Sequence, residues 1–182
     1  MNRDNILDNL RLFDKEAKVL IKHSVKPRVI IMGGSAFILM GQTDRATRDI
    51  DVLSVPRELG KLLESYEMSL AVNAYADCLP YNYEDRLIPL DMGDTCLEYL
   101  APSLEDLVIT KLYGLRDPDI EDITGEAVLV NINWKLLEKL VYDKDEAPAS
   151  ALSERRYKEM VRAFEEYKAE YCDERTDTTG LS

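Results

Sequence analysis

The sequence predicts an α/β chain of the α+β kind: a small mixed sheet flanked by helices, with a C-terminal helical part. Three observations lead to it. Short β-branched runs at Val29-Ile30-Ile31-Met32 and Ile50-Asp51-Val52-Leu53-Ser54 have the length of buried strands, and a later pair of runs is spaced as a hairpin. Segments around them repeat apolar residues at three, four and seven, the period of a helix packed on one face. From Trp134 onward only the helical period remains.

Asn5 to His23 carries Ile6, Leu10, Phe13, Ala17, Leu20 and Ile21 on one stripe, which predicts an amphipathic helix lying on the sheet. His23, the single histidine, falls at its C-terminal end, where the helix dipole favours a cation. The strand ending at Met32 runs into Gly33-Gly34-Ser35, and Ala36 to Met40 reads as a short buried helix beyond it. Glycines at such a turn accept positive φ and let backbone N–H groups approach a phosphate-sized ligand. Ser35 adds a hydroxyl suited to an anion or a metal.

Asp49 and Asp51 lie two apart at the next strand, so their side chains share a face while Ile50 and Val52 turn to the core. Two carboxylates so close repel unless a cation lies between them, and hard oxygen donors suit Mg²⁺ or Mn²⁺. The plainer reading is a pair of solvent-facing residues on a half-buried strand.

Pro56 opens a helix predicted to run to Met68, and Asn73 to Glu84 is predicted to be a loop. Arg86 to Leu90 and Thr95 to Leu100 flank the turn Met92-Gly93-Asp94 as an antiparallel hairpin. Ser103 caps the next helix with Asp106 three positions on, and Leu107, Val108, Leu112 and Leu115 form its inward stripe. Lys111 falls near that buried face and needs a counter-charge: a nucleotide phosphate, Asp49, Asp51 or Asp119 would supply it, unless the chain snorkels to solvent. Asp119 and Asp122 stand at the start of a further helix, where the dipole favours acids. Trp134 to Tyr142 and Ser153 to Tyr171 read as helices, and the polar tail 173–182 is expected to be disordered.

At 182 residues with a net charge of −12, the chain is not one whose nucleic-acid affinity comes from a broadly basic surface. A local basic patch at Arg45, Arg48 and Lys111 is compatible with that charge. Three cysteines without metal-type spacing point to reduced thiols, hence a cytoplasmic and bacterial setting. No apolar run approaches the roughly 20 residues of a membrane span, and the first residues lack the basic-then-apolar order of a signal peptide.

Gly33-Gly34-Ser35, the lead-in Arg45-Ala46-Thr47-Arg48 and Asp49-x-Asp51 together resemble the core signature of the nucleotidyltransferase fold, the DNA polymerase β-like superfamily. More narrowly, the chain resembles the small bacterial nucleotidyltransferases of the AbiEii-like toxin and abortive-infection group and related uncharacterised families. Ser103 to Leu112 is similar to the second family motif, a capped helix with an inward lysine. Arg116 to Ile123 is similar to the third, in which an aspartate is followed three positions on by another, with Pro118 where the family has a basic residue.

The resemblance implies a nucleotidyltransferase domain over 1–123, helices packed on it over 124–172, and a tail over 173–182. It implies an NTP substrate bound by Gly33, Gly34, Ser35 and Arg48, and catalysis by Asp49, Asp51, Lys111 and Asp119. It implies Mg²⁺ or Mn²⁺ on Asp49, Asp51 and a third carboxylate from a later strand, for which Glu98 is the position here and Asp91 its competitor by the turn. The acceptor is expected to be an RNA (tRNA) end or a protein hydroxyl, with a toxin-antitoxin or phage-defence role and a partner protein. The alternative is a catalytically idle nucleotide-binding or protein-interaction module, an antitoxin or partner subunit.

Overall fold

In the computed structural model, which describes residues 1–22, 25–71, 77–143 and 153–172, the inner strand is β1 (Arg28–Ile31). Val29, Ile30 and Ile31 are all buried, as a strand covered on both faces requires. β1 pairs antiparallel with β2 (Ile50–Ser54), Ile31 opposite Val52. On its other side it pairs parallel with β5 (Glu98–Ala101), Arg28 opposite Glu98 and Ile30 opposite Leu100. β3 (Met68–Leu70) lies parallel to β2, and β4 (Ile88–Pro89) antiparallel to β5 as the predicted hairpin. Among the described residues the sheet order is therefore β3-β2-β1-β5-β4.

This register decides which ends meet. β2 begins where β1 finishes, so Asp49 and Asp51 arrive beside the glycine turn, pinned by a bond from Met32 N to Asp51 O of 2.8 Å. β5 runs parallel to β1, so its end at Ala101, not its start at Glu98, points the same way.

α1 (Arg3–Leu20) is capped by Asn2 and buries Ile6, Leu10, Phe13 and Ala17 as expected. It stops at Leu20, which is exposed, and His23 lies outside the described residues. Asp14 on the same helix is buried and accepts from the N–H groups of Cys96 and Leu97, each at 3.0 Å, fixing the approach to β5. α2 (Gly33–Leu39) starts earlier than predicted: the glycines form its first turn, and all seven residues are buried. Gly33 has φ of +61°, the positive value its sequence position anticipates.

The segment after Pro56 is a 3₁₀ helix, Arg57–Tyr66, instead of a longer helix to Met68. Glu67 turns it off in a left-handed conformation, and Met68 instead opens β3. The predicted loop holds a short 3₁₀ turn at Tyr83–Arg86, and residues 72–76 lie outside the described residues. α3 (Leu104–Gly114) is capped by Ser103, yet it has no single inward stripe: Leu104 to Leu112 are all buried. α2 packs on it from one direction, while α6 (Trp134–Tyr142) and α7 (Glu154–Tyr171) cover it from another. Leu115 ends the helix at φ of +50° and is exposed instead of inward.

α4 (Asp117–Thr124) and α5 (Glu126–Asn131) follow. Two polar bonds, one buried and one partly buried, tie the last helices to what precedes them: Tyr167 Oη donates to Ile123 O at 2.6 Å, and Asn133 N donates to Glu105 Oε1 at 2.8 Å. The tail 173–182 lies outside the described residues, among which no helix is long and apolar enough to cross a membrane.

Candidate active site

Asp49 is exposed and Asp51 half-buried at the head of β2, and Ser69 on β3 stands opposite Asp51 in register. Its hydroxyl lies 3.3 Å from Asp49 Oδ2 and 3.4 Å from Asp51 Oδ1. A serine has one proton, so it donates to one of the two carboxylates at a time. Both acids thus come to one side, Asp49 from the bend just before β2 and Asp51 from within the strand.

Beside them a chain of charges runs through the fold. Lys111, with its side chain 4% exposed, donates to Asp119 Oδ1 at 2.8 Å and meets Asp122 Oδ2 at 2.9 Å. Arg45 grips Asp122 with two bonds of 2.5 and 2.7 Å, and Arg116 holds Asp119 at 2.7 Å. Lys111 therefore does not snorkel; its counter-charges are the two aspartates of α4. Burial alone would raise the Asp119 pKa, but hydrogen bonds from Arg116 and Lys111 outweigh it and hold the carboxyl below its ordinary value. The bond to Asp122 likewise raises Arg45.

The glycines make room for these charges. A Cβ on Gly114 would stand 2.5 Å from Asp119 Oδ2, and one on Gly34 2.5 Å from an Arg45 nitrogen. Asp119 also reaches back to Arg116 N at 3.2 Å, capping α4.

These groups line a cavity of about 700 Å³. Of the residues singled out in the sequence, Gly34, Arg45, Arg48, Asp49, Asp51, Lys111 and Asp119 are on its wall, and Pro118 with them. Gly33 and Ser35 are off it: Ser35 is buried and its hydroxyl donates to Met32 O at 2.7 Å, inside the turn. Arg48 is exposed and has no ion-pair partner among the described residues. Cys78, Thr110, Tyr113, Gly114, Arg116 and Arg156 also line the wall without having been predicted there, with Ala46 and Thr47 of the lead-in beside them. Arg156 had no local signal, because α7 reaches the cavity only through tertiary packing.

Glu98 corrects an expectation. The parallel register sets it opposite Arg28, at the far end of β5 from the aspartates, and it pairs with that arginine at 3.2 Å. The residues at the near end, Leu100 and Ala101, are apolar and buried. Asp91 is no substitute, since it lines a different groove and accepts from Gly93 N at 3.1 Å. Among the described residues no cluster of three or more acids, histidines or cysteines is placed to hold a metal.

The mixed five-stranded sheet flanked by helices agrees with the comparison to protein families. The model for "Nucleotidyltransferase of unknown function (DUF6036)" matches residues 8–172, and the chain belongs to this family. No curated protein and no solved structure matches the chain.

Proposed function

We propose that the chain transfers a nucleoside monophosphate from an NTP to an acceptor hydroxyl, with a divalent cation held by Asp49 and Asp51. The observation that carries this reading is the cavity wall. It gathers five cations, Arg45, Arg48, Lys111, Arg116 and Arg156, around the acid pair and Asp119, in a chain whose net charge is −12. Mg²⁺ is commonly held by one or two carboxylates plus substrate phosphates, so two protein carboxylates without a third suit a cation that arrives with the nucleotide. Such a cation supplies charge neutralisation at the α-phosphate and favours an oxyanion nucleophile.

The protein's own groups do the positioning. Arg48 binds the non-transferred phosphates, and Gly34 lets the backbone come close to them. Lys111 has three protons, two of them engaged by Asp119 and Asp122, which leaves one for a phosphate oxygen. The acceptor oxygen attacks the α-phosphorus in line, the α–β bond breaks, pyrophosphate leaves and the hydroxyl proton passes to solvent. The narrower sequence resemblance supports an RNA (tRNA) end or a protein hydroxyl as acceptor, a partner protein, and a toxin-antitoxin or phage-defence role. Transfer of label from α-labelled NTP in Mg²⁺ tests the reaction: Asp49→Ala and Asp51→Ala should each abolish it, and intact transfer in either variant refutes the mechanism.

Pro118, which stands on the cavity wall where the resembled motif has a basic residue, favours a second reading, an idle nucleotide-binding partner subunit. Calorimetry with Mg²⁺ and a panel of NTPs separates the two, since the idle form binds without releasing pyrophosphate.

A further inference from the structure

We propose that Tyr113 and Arg156 form an oxyanion subsite in this cavity, one that takes a phosphoryl group and is built partly by the C-terminal helix. This rests on the reading of the cavity as a nucleotide pocket. Tyr113 comes from α3 and Arg156 from α7, and both line the wall. The guanidinium carbon of Arg156 stands 5.8 Å from the centre of the Tyr113 ring, and its Nη2 lies 3.9 Å from Cys78 Sγ. Arg156 has no carboxylate partner among the described residues.

The Tyr113 hydroxyl is the second observation. It is the one buried side-chain oxygen or nitrogen among the described residues that has no hydrogen-bond partner. A buried donor left unmade forfeits its full hydration, so such groups are rare and call for an explanation. Burial raises the pKa of both Tyr113 and the Cys78 thiol, so both keep their protons. The corner therefore offers a phenol, a thiol and a guanidinium; Asp77, next to Cys78 in the chain, pushes the thiol up further but forms no ion pair with Arg156. A ligand that fits accepts hydrogen bonds and carries negative charge, and phosphoryl oxygens do both.

Two sources present that chemistry: the polyphosphate tail of the NTP, or a phosphate on the acceptor. Titration calorimetry of the full chain with inorganic tripolyphosphate, without metal, reads the subsite directly. Arg156→Gln should weaken binding roughly tenfold or more, and Tyr113→Phe several-fold, as loss of charge-assisted hydrogen bonds implies. Tyr113→Phe removes only the hydroxyl and carries the test alone if Arg156→Gln melts early. Repeating the titration with Mg·ATP assigns the source: a parallel loss points to the donor's tail, and an unchanged ATP affinity to a phosphate of the acceptor. No binding of tripolyphosphate by the wild type, or binding that Tyr113→Phe leaves unaltered, overturns the subsite. The probe needs neither metal nor the acid pair, so an Asp49→Ala chain that cannot transfer nucleotide still reports on it.

Discussion

Lys111 shows what burial does to a charge. Its ammonium is shared by two buried aspartates, and each aspartate is gripped in turn by an arginine, so removing either aspartate leaves the buried ammonium short of a counter-charge in a medium that solvates it poorly. Asp119→Asn is expected to destabilise the fold by about 3–5 kcal/mol in urea unfolding, the cost of breaking a buried pair on one side. Gly114→Ala should cost about 1–3 kcal/mol, because its Cβ would overlap Asp119 Oδ2 in a packed site. Asp119 also sets a pH dependence. Its folded pKa is lowered, so its contribution is complete above the unfolded carboxylate value of about 3.9 and is lost as pH falls through the folded value. Melting temperature followed downward from pH 5 should decline in the wild type, with that acid-limb decline shallower in Asp119→Asn.

The behaviour of whole elements explains both what the sequence disclosed and what it withheld. Val29 to Ile31 and Ile50 to Val52 were legible as strands because burial of alternate or successive β-branched residues leaves its pattern in the chain itself. β3 was not, since Met68–Leu70 is too short to show any period. α3 was legible by its cap but not by its faces, because helices and sheet surround it and erase the contrast between inside and outside. Glu98 was misjudged for a related reason: which end of β5 faces the aspartates depends on strand direction, and nothing local in the sequence states it. Asp14, Glu105 and Asp106 are buried acids whose partners, backbone N–H groups or Arg86, lie far along the chain. Since Glu98 and Arg28 form only an exposed pair, Glu98→Ala should leave nucleotide transfer unchanged and shift stability by no more than about 0.5 kcal/mol. Loss of transfer in that variant would restore it as a metal ligand.

The molecule as a whole is acidic, and five of its 23 lysines and arginines line the cavity onto which Asp49 and Asp51 open. A local positive field on a negative body attracts polyphosphate only at short range, and salt screens it. NTP affinity should therefore fall steadily as NaCl is raised, while the melting temperature, set by the buried pairs and core, changes little; an affinity indifferent to salt would argue against the cationic wall as the binding surface. The most direct test of the central claim, that Asp49 and Asp51 hold a cation together with the nucleotide, is calorimetric NTP affinity with and without Mg²⁺. Mg²⁺ should tighten binding to the wild type at least about tenfold, the scale of one charge-assisted contact, and should have no such effect on the Asp49→Ala, Asp51→Ala double variant. An equal Mg²⁺ dependence in the double variant would contradict it.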